Sequence, residues 1–124
     1  MKDKRVAIYV RVSTKDQSVD MQLNDLERYS KERGLRIFKV YKDNGVSGTK
    51  ESRPALNELM GDAKKRKFDV VLVWRFDRFA RSTKHLVTAL YEFRNLGIDF
   101  ISYQENIDTS SPLGEAIFTI ISAM

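Results

Sequence analysis

Residues 69–74 read Asp-Val-Val-Leu-Val-Trp, and this short stretch is the most informative part of the chain for its fold class. A continuous apolar run of this kind is typical of a strand that is buried on both faces, as in a parallel sheet. An arginine-rich, polar segment follows at once, from Arg75 to Ser82. The run therefore predicts a central strand that leads into a polar segment at its carboxyl end.

The rest of the chain alternates between strand-like and helix-like segments. Strands are predicted over 5–12, 35–41 and 98–103. Helices are predicted from about Val19 to Arg33, from Pro54, around Leu86 to Phe93 with a stop near Gly97, and from Ser111-Pro112. The order β-α-β-α-β-α-β-α predicts an α/β fold: an open, mostly parallel sheet flanked by helices. Functional groups in such sheets gather at the carboxyl ends of the strands.

Length and composition narrow the function classes. The chain has 124 residues, which is typical of one domain, and 22 Lys and Arg against 17 Asp and Glu give a formal charge of +5. Without cysteine, disulfide scaffolds, thiolate zinc sites and cysteine nucleophiles are excluded, and a cytoplasmic location is weakly favoured. The single histidine, His85, is expected to be structural or on the surface. No apolar run approaches the ~18 residues that a membrane span needs.

The carboxyl end of the first strand carries a possible reactive group. Alternation along the strand places Tyr9, Arg11 and Ser13 on one face, while Ile8, Val10 and Val12 point to the other. Two hydroxyls and a guanidinium therefore share a strand end. The alternative is that Ser13 merely begins a loop and that Arg11 is solvated.

The segment after the central strand offers a basic cluster. Arg75, Arg78 and Arg81 are spaced by three, so in a helical turn they would share one face, with two phenylalanines anchoring the turn and Asp77 among the arginines. Converging guanidiniums suit a phosphate or another planar anion. The alternative is a solvated basic face with an Asp77 ion pair. Arg53 is a further basic candidate, beside a glycine-containing loop over 43–50 that we expect to be mobile.

A serine among arginines points to phosphoryl transfer. Serine is a weak nucleophile that needs activation, and nearby guanidiniums lower the pKa of a hydroxyl and stabilise charge on an attacked phosphate. No dense Asp/Glu cluster of the two-metal kind is seen at the predicted strand ends, so we expect a metal-free reaction.

The stretch Tyr9-Val10-Arg11-Val12-Ser13-Thr14-Lys15-Asp16-Gln17 resembles the active-site signature of the serine recombinases, the resolvase/invertase family. That signature is Tyr-x-Arg-(Val/Ala)-Ser-(Ser/Thr)-x-x-Gln, and every fixed position matches. Further similarities cover almost the whole chain: Gln22 in the first helix, Asp43 with the glycine loop, Arg53 after it, Asp69 opening the buried strand, the Asp77-Arg78-Phe79-Ala80-Arg81 motif, and 111–124 as the start of a long dimerisation helix.

The resemblance implies a role for each matched residue. Ser13 would attack a DNA phosphodiester and become joined to the 5′-phosphate, while Arg11, Arg78 and Arg81 would grip the scissile phosphate. Arg53 would complete that grip when its loop closes. Asp77 would orient the arginines or relay the proton of the leaving 3′-hydroxyl. The supporting positions around the site would be Tyr9, Gln22 and Asp69.

The resemblance also implies partners and a domain organisation. Residues 1–124 would be the catalytic, N-terminal resolvase domain of a site-specific recombinase that uses neither metal nor nucleotide. Double-stranded DNA would be bound by a homodimer that assembles into a DNA-bound tetramer. A C-terminal DNA-binding region is expected beyond this chain. Whether the whole protein is a resolvase, an invertase or a transposon or phage integrase stays open, as does the choice among Lys64, Lys65 and Lys67 for the family's basic residue in the second helix.

Two other classes compete with this interpretation. A basic α/β binding module would explain Arg75, Arg78 and Arg81 but not why Ser13 should share a strand face with Arg11. A doubly wound receiver or flavin-binding domain is disfavoured, because a receiver needs acidic residues at the end of the first strand and a flavin site favours glycine in the loop that follows it.

Overall fold

The computed structural model describes residues 4–12, 19–44 and 53–123, except for the side chains of residues 121 and 122. The strands are β1 (Arg5–Val12), β2 (Arg36–Asn44), β3 (Val70–Val73), β4 (Asp99–Ser102) and β5 (Ile107–Asp108). The helices are α1 (Val19–Glu32), α2 (Pro54–Lys64), α3 (Phe76–Phe79), α4 (Thr83–Leu96) and α5 (Pro112–Ala123).

The five strands form one sheet in the order β2-β1-β3-β4-β5. All neighbouring pairs are parallel except β4 and β5, which are antiparallel. The predicted open, mostly parallel α/β sheet is confirmed. The sequence did not predict the two-residue strand β5 or the short helix α3, because neither is long enough to show a period.

The strand order places a topological switch point beside β1. The chain runs from β1 outward to β2 on one side, and then returns to place β3 on the other side. At such a point the connections that leave the two carboxyl ends diverge and open a crevice, where ligands of open α/β sheets usually bind. The ends of β1 and β3 are therefore the expected place for a site.

Helices cover both faces of the sheet. The smaller core joins Leu26 of α1 to Val6, Ile8 and Val10 of β1. The larger core packs α2, α4 and α5 against the opposite face through residues such as Leu59, Phe93 and Phe118. Burial of β3 is complete on both faces, as its apolar sequence predicts.

Helix ends follow ordinary capping chemistry. The Ser82 side chain accepts the backbone N–H of His85 at 3.1 Å and caps the N-terminus of α4. Gly97 ends the same helix in the left-handed conformation, at φ 74°, which glycine adopts without strain. Among the helices of the described residues, none has the length and apolar character to cross a membrane.

Helix α5 lies unusually close to β5. A Cβ added at Gly114 would stand 1.7 Å from the carbonyl oxygen of Asp108, a separation that backbone atoms cannot tolerate. The backbone of Asp108 is fixed from the other side, because Ser111 donates its side-chain hydroxyl to that same oxygen at 2.7 Å. Glycine is therefore required where α5 crosses β5.

Replacing Gly114 by Ala should destabilise the domain, because the added methyl forces α5 away from β5. Overpacking of this kind lowers the free energy of unfolding by about 1–3 kcal/mol. Gly61→Ala in α2 is the matched control, since nothing lies within 4 Å of a Cβ there. That variant should gain about 0.5–1 kcal/mol from helix propensity. Urea denaturation of both proteins measures the difference, and equal stability of the two would contradict the close approach.

Candidate active site

The carboxyl end of β1 presents alternate side chains to opposite cores. Tyr9 packs in the larger core, whereas Ile8 and Val10 pack in the smaller one. Arg11 follows Tyr9 on the same face and donates from Nη2 to the backbone carbonyl of Asp77 in α3, at 3.2 Å. The predicted sharing of a face is thus confirmed for Tyr9 and Arg11. Ser13, the predicted nucleophile, lies outside the described residues.

A buried carboxylate ties this strand end to α2. Asp43 is 2% exposed, and it accepts the hydroxyl of Tyr9 at 2.8 Å. It also accepts the backbone N–H groups of Ala55 at 2.8 Å and Leu56 at 3.0 Å, in the first turn of α2. Asp43 therefore caps a helix from a neighbouring strand, where Arg53 at the N-cap position gives no side-chain cap.

Tyr9 is held rigidly between the strand and α3. Its ring meets the ring of Phe79 edge-on, with centroids 6.1 Å apart. Burial, followed by the hydrogen bond to Asp43, raises the pKa of the Tyr9 hydroxyl far above its usual value, although the positive charges of Arg53 and Arg11 act to lower it. Tyr9 is therefore a neutral hydrogen-bond donor at physiological pH, with two guanidiniums close to it.

Arg53 is almost fully buried, at 6% exposure. Its Nη1 donates to the backbone carbonyl of Phe79 at 2.5 Å, so it spans from the start of α2 to the end of α3. The sequence predicted a loop over 43–50 before Arg53, but residues 43 and 44 belong to strand β2, and residues 45–52 lie outside the described residues. The closing of a loop over the site, expected for this segment, remains a prediction.

The arginines after β3 do not share a helical face as predicted. Helix α3 covers only 76–79, and the backbone is extended at Arg75 and at Ala80 on either side of it. The spacing of three residues therefore does not place Arg75, Arg78 and Arg81 on one helical face. Arg75 turns instead to Asp77, with Nε 3.0 Å from Oδ1, while Arg78 lies 3.8 Å from the same oxygen. The predicted phenylalanine anchors are confirmed, since Phe79 is fully buried and Phe76 is half-buried.

The short helix α3 is fixed by a carboxylate from the turn after β4. Glu105 accepts the backbone N–H of Phe76 at 3.2 Å, and the buried Ser102 hydroxyl donates to the same carboxylate. Four residues cannot hold a helix by themselves, because nucleation is unfavourable. Glu105 is thus part of what positions Arg78, and no sequence motif marked it.

His85, expected to be structural or on the surface, makes structural contacts beside this cluster. Its ring stacks on Phe79, with an interplanar angle of 7°. Its Nδ1 accepts the backbone N–H of Arg81 at 3.2 Å. Burial, and then the charges of Arg53 and Arg81, lower the pKa of His85. From its position at the start of a helix, the sequence did not predict these contacts of His85.

Of two predicted supporting residues, Asp69 lies away from the arginines, whereas Gln22 lies in the first turn of α1. Asp69 precedes β3, at the amino edge of the sheet, where it accepts the backbone N–H of Arg5 at 2.9 Å. Burial acts to raise the pKa of Asp69, but hydrogen bonds from Arg5 and the charges of Arg5 and Arg66 hold it below its usual value. Gln22 lies buried in α1, and its Oε1 finds no hydrogen-bond donor among the described residues.

The three candidate lysines also lie at the far end of the domain. Lys64 ends α2, and Lys65 and Lys67 follow it, whereas the N-terminus of α2 is the end held by Asp43. Lys64 pairs with Glu92 and Lys67 with Asp62, each at 3.8 Å. The geometry does not select one of them for the site.

The predicted arginines Arg11, Arg53, Arg78 and Arg81 are connected to one another through Tyr9, His85 and α3. The charges of Arg11 and Arg53 both act to lower the pKa of Tyr9. The charges of Arg53 and Arg81 both act to lower the pKa of His85. The carbonyl of Asp77 joins Arg11 to α3, which carries Arg78. Four guanidiniums thus converge at the carboxyl ends of β1 and β3. Partly buried guanidiniums in this arrangement favour an oxyanion, because arginine offers paired donors and a permanent charge.

In the part of this arrangement that the structure describes, no group of side chains could hold a metal. Within 4–12, 19–44 and 53–123, no three His, Asp or Glu side chains come together as a metal site. The carboxylate of Asp43 is fully engaged by its three donors. Asp77 is 65% exposed and faces Arg75 and Arg78.

Comparison with known proteins identifies the family. Residues 6–124 match the family described as "Resolvase, N terminal domain". The serine recombinase gin of Escherichia phage Mu is 40% identical over 116 residues, which cover 94% of this chain and 55% of that protein. The transposon Tn917 resolvase of Enterococcus faecalis is 36% identical over 116 residues, which cover 94% of this chain and 58% of that protein.

Solved structures agree with the sequence comparison. The N-terminal catalytic domain of TP901-1 integrase is 43% identical, with a TM-score of 0.87 over 97% of this chain and 92% of that one. A resolvase family site-specific recombinase from Streptococcus pneumoniae is 29% identical, with a TM-score of 0.85 over 98% of this chain and 85% of that one.

The protein is thus an α/β domain with guanidiniums at the topological switch point of its sheet. This chain belongs to the resolvase N-terminal domain family, the catalytic domain of serine recombinases. It spans little more than half the length of the curated relatives it matches.

Tyr9→Phe should lower the free energy of unfolding, because it removes the hydroxyl that Asp43 accepts in the core. A hydrogen bond to a charged group contributes about 1.5–3 kcal/mol. Tyr91→Phe is the matched control, since Tyr91 is 46% exposed and its variant should stay within about 0.5 kcal/mol of the parent. Equal losses in the two variants, measured by chemical denaturation, would rule out the buried junction.

Proposed function

We propose that this chain is the catalytic domain of a site-specific DNA recombinase, in which Ser13 attacks a DNA phosphodiester. The observation that carries the proposal is the convergence of Arg11, Arg53, Arg78 and Arg81 at the carboxyl ends of β1 and β3. In the sequence, Ser13 follows Arg11 by two residues and comes directly after Val12, the last residue of β1. The sequence therefore puts the serine next to the strand end that carries Arg11.

The reaction proposed is a phosphoryl transfer to serine. The Ser13 hydroxyl gives up its proton as its oxygen forms a bond to phosphorus, and the bond between phosphorus and the 3′-oxygen breaks. The DNA keeps its 5′-phosphate as an ester of Ser13, and the 3′-oxygen leaves as a hydroxyl after taking a proton. Reversal of the same steps on a new 3′-hydroxyl rejoins the strands without an external energy source.

The arginines supply most of the catalysis in this proposal. Charge builds on the phosphate oxygens in the transition state, and fixed positive charges stabilise it without reorganisation. Arg11 and Arg78 are partly exposed and Arg81 is exposed, so they can reach an incoming phosphate. The buried Arg53 raises the local positive potential and fixes the end of α3. Asp77 orients Arg78, or it relays a proton to the leaving 3′-oxygen.

The activity of the whole protein needs parts beyond this chain. We propose that a DNA-binding region lies C-terminal to residue 124, and that dimers on double-stranded DNA assemble into a tetramer. The exposed apolar side chains of α5, Leu113 and Ile120, fit a helix that pairs subunits. The chemistry described requires neither metal nor nucleotide.

The decisive experiment uses the whole protein that carries this chain and a suicide DNA substrate with a nick beside the cleavage site. A denaturing quench followed by mass spectrometry should find a DNA 5′-phosphate ester on Ser13. Ser13→Ala should abolish the adduct and keep specific DNA binding. An adduct on another residue would overturn the assigned nucleophile, and specific binding without any adduct would favour a binding module.

Arg78→Ala should slow adduct formation strongly while leaving DNA binding nearly unchanged. Loss of one contact to a developing oxyanion lowers the rate by about 10²–10³ at comparable sites. Arg28→Ala is the control: it removes an equal charge from α1, on the other face of the sheet, where Arg28 pairs with Asp25. Single-turnover cleavage measures both. Similar rates for the two variants would remove Arg78 from the proposed grip.

Chelation of divalent metals should leave adduct formation unchanged, because guanidiniums rather than metal ions neutralise the phosphate in this proposal. The measurement compares single-turnover cleavage in EDTA with cleavage in magnesium. A loss of cleavage in EDTA that magnesium restores would contradict the metal-free mechanism.

A further inference from the structure

We infer that His85, in its neutral form, is a positioning residue for Arg81 in the reaction proposed above. The inference rests on that proposed function and extends it to a residue that the family signature does not include. It begins from the place of Arg81, which lies beyond α3 and before α4 and so belongs to no helix. Such a residue has no helical hydrogen bond to fix its backbone.

The structure provides that fixation through the imidazole ring. The Arg81 backbone N–H donates to His85 Nδ1 at 3.2 Å. One residue on, the Ser82 side chain accepts the His85 N–H at 3.1 Å. The two bonds run in opposite directions and close a small ring around the first turn of α4. The backbone of Arg81 is thus held in one orientation, and this sets the direction of its side chain.

The imidazole ring is itself held in place. It stacks on Phe79 with centroids 6.1 Å apart, and Phe79 is fully buried. The carbonyl of Phe79 accepts Arg53 Nη1, so the same residue positions both the imidazole and a buried arginine. Phe79 also meets the ring of Tyr9. The imidazole therefore connects Arg81 to the rigid part of the site.

Acceptance at Nδ1 requires a particular protonation state. A neutral imidazole that accepts at Nδ1 carries its proton on Nε2, whereas the imidazolium ion has N–H groups at both positions and can accept nothing. Protonation would set two N–H groups against each other and release the backbone of Arg81. Because the ring is part of the turn, the release would reorient the Arg81 side chain.

Burial, and then the charges around the ring, favour its neutral form. Two charged groups act on it among the described residues: Arg53, which precedes α2, and Arg81 in the segment between α3 and α4. Burial is the larger influence, and all three lower the pKa of His85. The folded state therefore binds the proton less readily than the unfolded state, and stability falls as pH decreases below about 6.5 toward the lowered pKa.

The chain offers a direct spectroscopic test, because His85 is its only histidine. Nitrogen-15 NMR of the histidine-labelled chain should show the Nε2–H tautomer at neutral pH and a pKa below 6.5. The Nδ1–H tautomer, or an unshifted pKa, would overturn the inference. This measurement does not depend on DNA cleavage.

Two substitutions test the effect on the reaction in the whole protein. His85→Phe keeps the ring on Phe79 but removes the acceptor, and His85→Asn places an amide oxygen near the position of Nδ1. A displaced reacting group can slow a reaction by about 10²-fold. The Phe variant should therefore form the Ser13 adduct about ten- to a hundredfold more slowly. The Asn variant should recover most of the rate and lose the decline that the parent shows as His85 is protonated.

The outcomes separate this inference from the proposed function. If the parent forms the adduct and both variants cleave at its rate with its pH profile, the positioning role is wrong and the proposed function stands. If the parent forms no adduct, the proposed function fails, and the NMR result alone decides whether the contact exists. Thermal unfolding of the two variants shows whether a slow rate in the Phe variant reflects lost stability, in which case the pH profile of the Asn variant decides.

Discussion

The site depends on the hydrogen bonds that the buried carboxylate of Asp43 accepts. A charged group at 2% exposure persists only when hydrogen bonds replace its lost hydration. Here those bonds come from β1, through Tyr9, and from the first turn of α2, through Ala55 and Leu56. The same carboxylate therefore sets the start of α2 and, with it, the place where Arg53 enters the core.

Two contacts near this junction connect arginines to α3. Arg53 fixes the end of α3 through the carbonyl of Phe79, and Arg11 contacts the middle of α3 through the carbonyl of Asp77. The domain thus places positive charge at its topological switch point.

The sequence predicted the fold well because its signals were local and periodic. The alternation in β1, the apolar run of β3 and the glycine at 97 each imply a structure without reference to the rest of the chain. The site was predicted less completely. A spacing of three implies a shared face only in a continuous helix, and α3 ends before Arg81. The role of His85 depends on the stacking of Phe79, a contact between helices that no local pattern encodes.

The central claim is that the arginines of the switch point hold the phosphate that Ser13 attacks. The most direct measurement is a crystal structure of the whole protein trapped as its covalent adduct with suicide DNA. The account predicts a phosphate on the Ser13 oxygen, with guanidinium nitrogens of Arg11, Arg78 and Arg81 at about 2.7–2.9 Å from its oxygens. A phosphate joined to Ser13 but turned away from these arginines, toward solvent or other basic residues, would contradict it.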